Sequence, residues 1–222
     1  VMPNPGGLTR NVVQCLDDYG IGLHLSTTVT AVHGRERVEA VTVAKVDEKM
    51  KPIAGTEERI GCDLLVLAVG LIPENEWGRG AGIEMDPRTK GPVLDERFMT
   101  SVPGIFACGN VAVVFDLVDY VSQSGEIAAE GAVDFLAGKL NGLPAAEPVE
   151  VAGNVNFVVP QRVRPNSQNT TFFMRVKTPQ KVATLRCGAG LQKKCRYVAP
   201  PEMLCFAVEN CGEGTMAVKM EG

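Results

Sequence analysis

Cys62-Asp-Leu-Leu-Val-Leu-Ala-Val-Gly-Leu-Ile-Pro73 is the stretch on which the reading of the fold turns. Its centre, Leu64–Val69, is an unbroken apolar run of strand length. Such a run has the texture of a strand covered on both faces, as in a parallel sheet. It feeds into Gly70 and stops at Pro73. A second short apolar run, Val102-Pro-Gly-Ile-Phe-Ala-Cys-Gly-Asn110, reads as another short buried strand and also halts at a glycine. In open α/β sheets ligands lie beyond the carboxyl ends of strands, where glycine lets the backbone approach them. Residues 74–97 between the two runs are polar and irregular. Gly78-Arg-Gly-Ala-Gly82 within them follows Pro-Glu-Asn-Glu-Trp rather than a strand, so it reads as a surface loop.

Working outward toward the N-terminus, Leu8, Val12, Val13, Cys15, Leu16 and Tyr19 recur at helical spacing, with Gly20 as C-cap. Ile21–Ser26, Val29–Val32, Val38–Val46 and Glu58–Cys62 read as strands, the middle two joined as a hairpin through Gly34. Toward the C-terminus, residues 111–121 are mostly apolar but carry Asp116, Asp119 and Tyr120. Ser122 or Ser124 then caps a helix with a body of Glu126–Leu140, closed by Asn141, Gly142 and Pro144. Residues 141–150 are the best linker candidate. Beyond them six short, roughly alternating segments begin near Val155, Thr171, Val182, Lys194, Met203 and Met216. Gly188-Ala-Gly190 sits as a hairpin turn between the third and fourth. Strands of that length and spacing predict a small all-β, sandwich-like domain.

Composition bounds the function. The chain has 222 residues, 45% hydrophobic and 22% charged, which fits a globular protein and excludes collagen, coiled coil and disorder. No apolar run approaches ~18 residues, so no membrane span is expected. The net charge of −4 hides a division: residues 1–150 hold 12 Lys and Arg against 22 Asp and Glu, net −10, whereas residues 151–222 hold 10 against 4, net +6. Either the basic part docks on the acidic part, or it meets an anionic partner; no basic run of five or six residues points to nucleic acid. The seven cysteines are odd in number and no secretion signal is visible, so free thiols in a reducing, cytoplasmic setting are expected. Cys187, Cys195, Cys205 and Cys211 lack the close pairing and nearby His of a zinc site, so no metal is assigned. His24 and His33 read as structural. No G-x-S-x-G, Walker A, H-E-x-x-H, C-x-x-C or G-x-G-x-x-G motif occurs, and no catalytic acid, base or nucleophile is assigned.

Asp63-Leu-Leu-Val-Leu-Ala-Val-Gly-Leu-Ile-Pro73, followed by Thr100-Ser-Val-Pro-Gly-Ile-Phe-Ala-Cys-Gly-Asn110 and a small-residue helix, resembles the second half of a pyridine nucleotide–disulfide oxidoreductase-type flavoprotein. The resemblance covers roughly residues 1–140; with the appended β unit the arrangement also resembles uncharacterised bacterial NAD/FAD oxidoreductases. It implies a mixed α/β chain built from partial Rossmann-like domains: residues 1–68 as the latter part of an NAD(P)-binding domain, 69–146 as the end of an FAD-binding domain, and 151–222 as the appended β-domain. It further implies that Gly70 is a crossover glycine, that Gly109 and Asn110 form a flavin-binding pair, and that Asp119, Tyr120 and Ser124 lie close to the flavin ring. Asn110 stands where the family carries Asp.

The family's two phosphate-binding glycine motifs are missing, and Val1 is not an initiator methionine. These features imply part of an enzyme that passes a hydride between NAD(P)H and FAD, with neither cofactor retained by this chain alone. The expected partners are a missing N-terminal half, a partner subunit or further copies of the chain. The alternative is a non-catalytic subunit or interaction module that completes a flavin site on another chain. Parallel-sheet strands without neighbours are expected to self-associate or rearrange.

Overall fold

The computed structural model describes residues 2–188 and 190–221. It divides into two compact units, 1–70 and 71–222. No helix among the described residues is long and apolar enough to cross a membrane.

The first unit opens with helix α1 (Thr9–Cys15) and a 3₁₀ turn at Asp17–Tyr19. Gly20 ends them in the left-handed conformation, and the Ile21 N–H returns to the Leu16 carbonyl at 2.9 Å. The strands β1 (Thr27–His33), β2 (Ala40–Lys45) and β3 (Glu58–Gly61) form an antiparallel sheet in that order. The expected hairpin is present, with Val29 opposite Val43 and His33 opposite Ala40. His33 is structural in the sense expected of it: Nε2 lies 2.7 Å from the Thr42 hydroxyl on the paired strand. The core of this unit is small, comprising Ala40, Val41, Ala44 and Val46.

Two strands expected in this unit are not formed. Residues 21–26 are irregular. The decisive stretch, Leu64–Val69, is not a buried parallel strand. It is irregular chain without strand pairing, and Leu64, Val66, Leu67 and Val69 are 74%, 75%, 70% and 87% exposed. Among the described residues, the backbone of 63–74 makes no backbone hydrogen bond. The physical reason is the one that governs every strand: its N–H and C=O groups need a neighbouring strand, and the described residues present none to it.

The second unit is a three-layer stack. It contains α2 (Glu76–Gly80), α3 (Gly109–Ala112) and the long helix α4 (Val118–Leu136). Its strands are β4 (Glu147–Pro148), β5 (Glu150–Gly153), β6 (Val155–Val159), β7 (Arg162–Val163), β8 (Gln168–Val176), β9 (Gln180–Cys187), β10 (Leu191–Val198), β11 (Leu204–Asn210) and β12 (Ala217–Glu221). The six strands expected after residue 150 are β6, β8, β9, β10, β11 and β12. They form two main sheets, ordered β11-β8-β6 and β10-β9-β12-β5. The β9–β10 hairpin is antiparallel as expected, although Ala189 in its turn lies outside the described residues. The second short apolar run is also not a strand: Met99 and Phe106 make a single bridge, and Ile105 stays partly exposed before α3.

The middle sheet is covered on both faces. Phe172, Met174 and Val176 of β8 point toward the outer sheet and pack with Leu185, Cys187, Val218 and Met220. Phe173 points the other way and packs with Phe98, Phe115 and Ala128 beneath α4. Residues 71–146 and 151–221 therefore share one core. Phe173 is its hub, in edge-on contact with Phe98, Phe115 and Tyr120 at 6.3, 5.1 and 5.5 Å. At Gly131 the helix crosses so near the 95–99 turn that a Cβ would stand 2.4 Å from the Arg97 carbonyl oxygen.

Helix α4 starts eight residues before the expected body. Neither Ser122 nor Ser124 caps it; the N-cap position is Leu117, with no side-chain cap bond. It ends at Leu136, with Ala137 as C-cap and Gly138 in the left-handed region, rather than at Asn141.

Candidate functional site

The structure gathers five of the six sequence-predicted residues around the junction of α3 and α4. Gly109 opens α3 at φ +60°, a backbone conformation that suits glycine. Its N–H donates to the Ser124 hydroxyl at 2.8 Å, and that hydroxyl donates to the Val121 carbonyl at 2.6 Å. Ser124 is fully buried, so its side chain faces the turn rather than solvent. Asn110 is exposed; its Oδ1 accepts the Phe115 N–H at 3.2 Å, which leaves the amide NH₂ to donate. Asp119 is exposed in the first turn of α4. Tyr120 is half-buried against Phe173, and burial, followed by Cys205, Asp116 and Asp119, pushes its phenol above the usual range. Gly70, at φ +91°, belongs to the other unit.

Behind this junction lies a buried polar pair that sequence reasoning missed. Asp116 Oδ2 accepts the Met203 N–H at 2.8 Å, and Oδ1 is buried without a hydrogen-bond partner among the described residues, 4.0 Å from the Arg175 guanidinium. Arg175 donates to the carbonyls of Val114, Pro200 and Pro201. Burial lowers its basicity and Asp116 opposes that. The arrangement ties the segment before α4 to β8 and to the 199–203 loop. The available sequence signal was a charged residue inside an alternating strand, but its partner lies 59 positions away and leaves no local trace.

A second ionic group holds the residue after β7 to the 95–97 turn. Arg164 contacts Asp95 at 2.9 Å and Glu96 at 2.7 Å, all three well buried. Burial raises the Asp95 carboxyl, Glu96 adds to that, and Arg164 opposes it. A cavity of about 440 Å³ opens beside this group, lined among others by Glu96, Arg97, Glu130, Gly131 and Arg164. None of the six predicted residues lines it. Its guanidinium groups are already paired with carboxylates, Arg97 with Asp134 and Arg164 as above, so it offers no free cation to an anion.

All seven cysteines are free thiols, and Cys15 and Cys108 are exposed. Among the described residues no group of three or more His, Cys, Asp or Glu is placed to hold a metal.

Residues 7–128 match the family model of the pyridine nucleotide-disulphide oxidoreductases. The chain belongs to that family. Its members are flavoprotein oxidoreductases that use FAD and NAD(P). Among relatives of the family, the chain is 32% identical over 127 residues to a mitochondrial dihydrolipoyl dehydrogenase of Cricetulus griseus, covering 56% of this chain and 24% of the relative. The corresponding protein of Homo sapiens is 31% identical over the same length and coverage. The chain thus spans about a quarter of the length of the curated relatives it matches. A thioredoxin reductase from Gloeobacter violaceus aligns in structure over 63% of this chain and 43% of its own, at 22% identity and a TM-score of 0.29. The family match spans both glycine-ended motifs and stops within α4, so the β-strands after residue 150 lie outside it.

Proposed function

We propose that this chain supplies the Gly109–Asn110 turn and the start of α4 to the flavin site of an FAD-dependent oxidoreductase that passes a hydride between a nicotinamide and the flavin. The observation that carries the reading is the turn itself. Gly109 presents backbone without a side chain, its amide is fixed by the buried Ser124 hydroxyl, and Asn110 beside it keeps an exposed amide NH₂. A neutral donor on a rigid turn suits a hydroxyl or phosphate oxygen of the flavin's ribityl chain or pyrophosphate. Bound flavin would supply the redox chemistry; the chain's own residues bind and orient. Asn110 donates, Ser124 holds the turn, and Tyr120 and Asp119 border it.

The chain alone is proposed to be cofactor-poor and inactive, because one turn without the phosphate-binding glycine motifs offers few contacts. The other half of the site comes from further sequence on the same polypeptide or from a partner subunit. The test is a gel-filtration run after incubation with excess FAD. The expected result is a protein peak without flavin absorbance; stoichiometric co-elution overturns the reading of the isolated chain. In the protein that carries the glycine motifs together with this chain, Asn110→Ala is expected to lower flavin occupancy about tenfold, and undiminished occupancy would remove the flavin role of the turn.

A second reading, a non-catalytic subunit that completes a partner's site, draws on the exposed apolar run Leu64–Ile72, whose backbone is unpaired. The genomic sequence upstream of Val1 separates the two: a continuous frame with two G-x-G-x-x-G motifs supports one polypeptide, and a start signal just before Val1 supports a subunit. Seven free thiols favour a reducing, cytoplasmic location under either reading.

A further inference from the structure

The two outer layers of the second unit carry opposite charge. Helix α4 covers one face of the middle sheet, through Ala128 against Phe157 and Phe173. The β10-β9-β12-β5 sheet covers the other, through Leu185, Val218 and Met220 against Phe172 and Met174. The solvent sides of α4 and of the outer sheet are therefore opposite faces of one compact body.

On α4, Asp119, Glu126 and Glu130 are exposed and fall on a single stripe at spacings of seven and four residues. Asp119, Glu126 and Glu130 form no ion pair among the described residues. On the outer sheet, strand alternation and register set Arg186 beside Lys219 on β12 and beside Gln192 on β10, with Lys194 and Arg196 further along β10. All four cations are exposed. Glu221 pairs with Arg186 and Lys219, and Glu150 sits at the far edge on β5, which leaves Lys194 and Arg196 without a carboxylate partner among the described residues. Edge-strand lysines ordinarily deter pairing with another sheet, and that role is served by β10 alone. It does not account for cations carried onto the central strands β9 and β12, nor for an unpaired acidic stripe on the opposite layer.

We propose that the chain associates head to tail, the acidic stripe of α4 in one copy docking on the basic face of the β9–β10–β12 sheet in the next. Charge complementarity selects a second copy as occupant, since one chain carries both surfaces and their opposite placement prevents them from meeting within it. The contact is heterologous: the docked pair still exposes one free face of each sign, so the assembly grows rather than closing as a dimer. Asp119 also borders the proposed flavin turn, but the reversals below change only Glu126 and Glu130 on α4, so failure of the association and failure of the flavin reading are distinguishable.

Sedimentation velocity of the purified chain tests it at about 0.01 M and about 1 M salt, across which the screening length falls from about 30 Å to about 3 Å. A graded series of larger species at low salt that collapses to monomer at high salt is expected. The reversals K194E/R196E and E126K/E130K should each weaken association by roughly tenfold or more, because like charges then face each other. Mixing the two variants should restore association, since one then presents only acidic faces and the other only basic ones. Recovery on mixing also shows that both variants are folded. A monomer at low salt overturns the proposal. So does association that survives both high salt and both reversals, which would assign it to the apolar run Leu64–Ile72. A mixture of two variants with native circular dichroism that stays monomeric overturns it as well.

Discussion

Gly109 donates its N–H to the hydroxyl of Ser124 at 2.8 Å, across the gap between the short helix α3 and the long helix α4. Ser124 is positioned from within its own helix, because the same hydroxyl donates to the Val121 carbonyl three residues back. The bond turns a left-handed glycine into a fixed corner. Ser124→Ala leaves the Gly109 N–H without its partner at a cost of about 1–3 kcal/mol. Urea unfolding should show that loss, and amide exchange at Gly109 should quicken. Unchanged exchange at Gly109 would mean that the turn is held by other contacts.

Phe173 joins α4 to the β-sandwich. It is fully buried and touches three aromatic rings from three segments of the α-helical layer. Phe173→Ala is expected to cost about 3–5 kcal/mol, the range for deleting a large ring from a packed core. A single, cooperative urea transition moved to lower denaturant would show that helix layer and sandwich unfold together. Two separate transitions would show instead that they are energetically independent.

What the sequence disclosed and what it withheld divide along the range of the forces involved. Alternation over 5–9 residues is local, and the strands β6 and β8 to β12 were legible from it. The Gly20 cap was legible for the same reason. The start of α4 was not. Ser122 and Ser124 look like caps, yet the Ser124 hydroxyl is used inside the helix, and Leu117 begins it without a side-chain cap. The run Leu64–Val69 carries a strong strand signal, but a strand exists only with a neighbour, and no local pattern says whether one is present. Around the α3–α4 junction, the gathering of Gly109, Asn110 and Ser124 was legible through the family resemblance, while their flavin role is a proposal. The Asp116–Arg175 and Asp95–Glu96–Arg164 groups were not, since their members meet over 59 and 68–69 positions of chain.

Alkaline pH should weaken the β-sandwich through Cys187. Burial pushes this thiol from 9.0 up to about 12, with Cys211 adding to the shift. The folded value lies above the unfolded one, so the native state keeps a proton that the unfolded chain releases. Stability is therefore fully present below pH 9 and falls as pH rises toward 12, by at most about 1.4 kcal/mol per pH unit for one group. Urea midpoints at pH 8 and pH 10.5 should show the decline, and Cys187→Val should flatten it. In the same pH 8 sample, iodoacetamide should label the exposed Cys15 and Cys108 well before Cys187. Early labelling of Cys187 would contradict its placement in the core.

Gly131 tests how tightly α4 lies on the 95–99 turn. A Cβ there meets the Arg97 carbonyl oxygen at 2.4 Å and the Phe106 ring at 2.9 Å, and neither a backbone carbonyl nor a packed ring can yield cheaply. In an exposed helix Gly→Ala would stabilise by about 0.5–1 kcal/mol. Here the clash reverses the sign, and Gly131→Ala is expected to destabilise by about 1–3 kcal/mol, the usual cost of overpacking. Gly125, on the same helix with open space around it, provides the control, and Gly125→Ala should stabilise or be neutral. Thermal unfolding of the two variants side by side reads the difference. If both move in the stabilising direction, α4 does not sit against the turn at this distance.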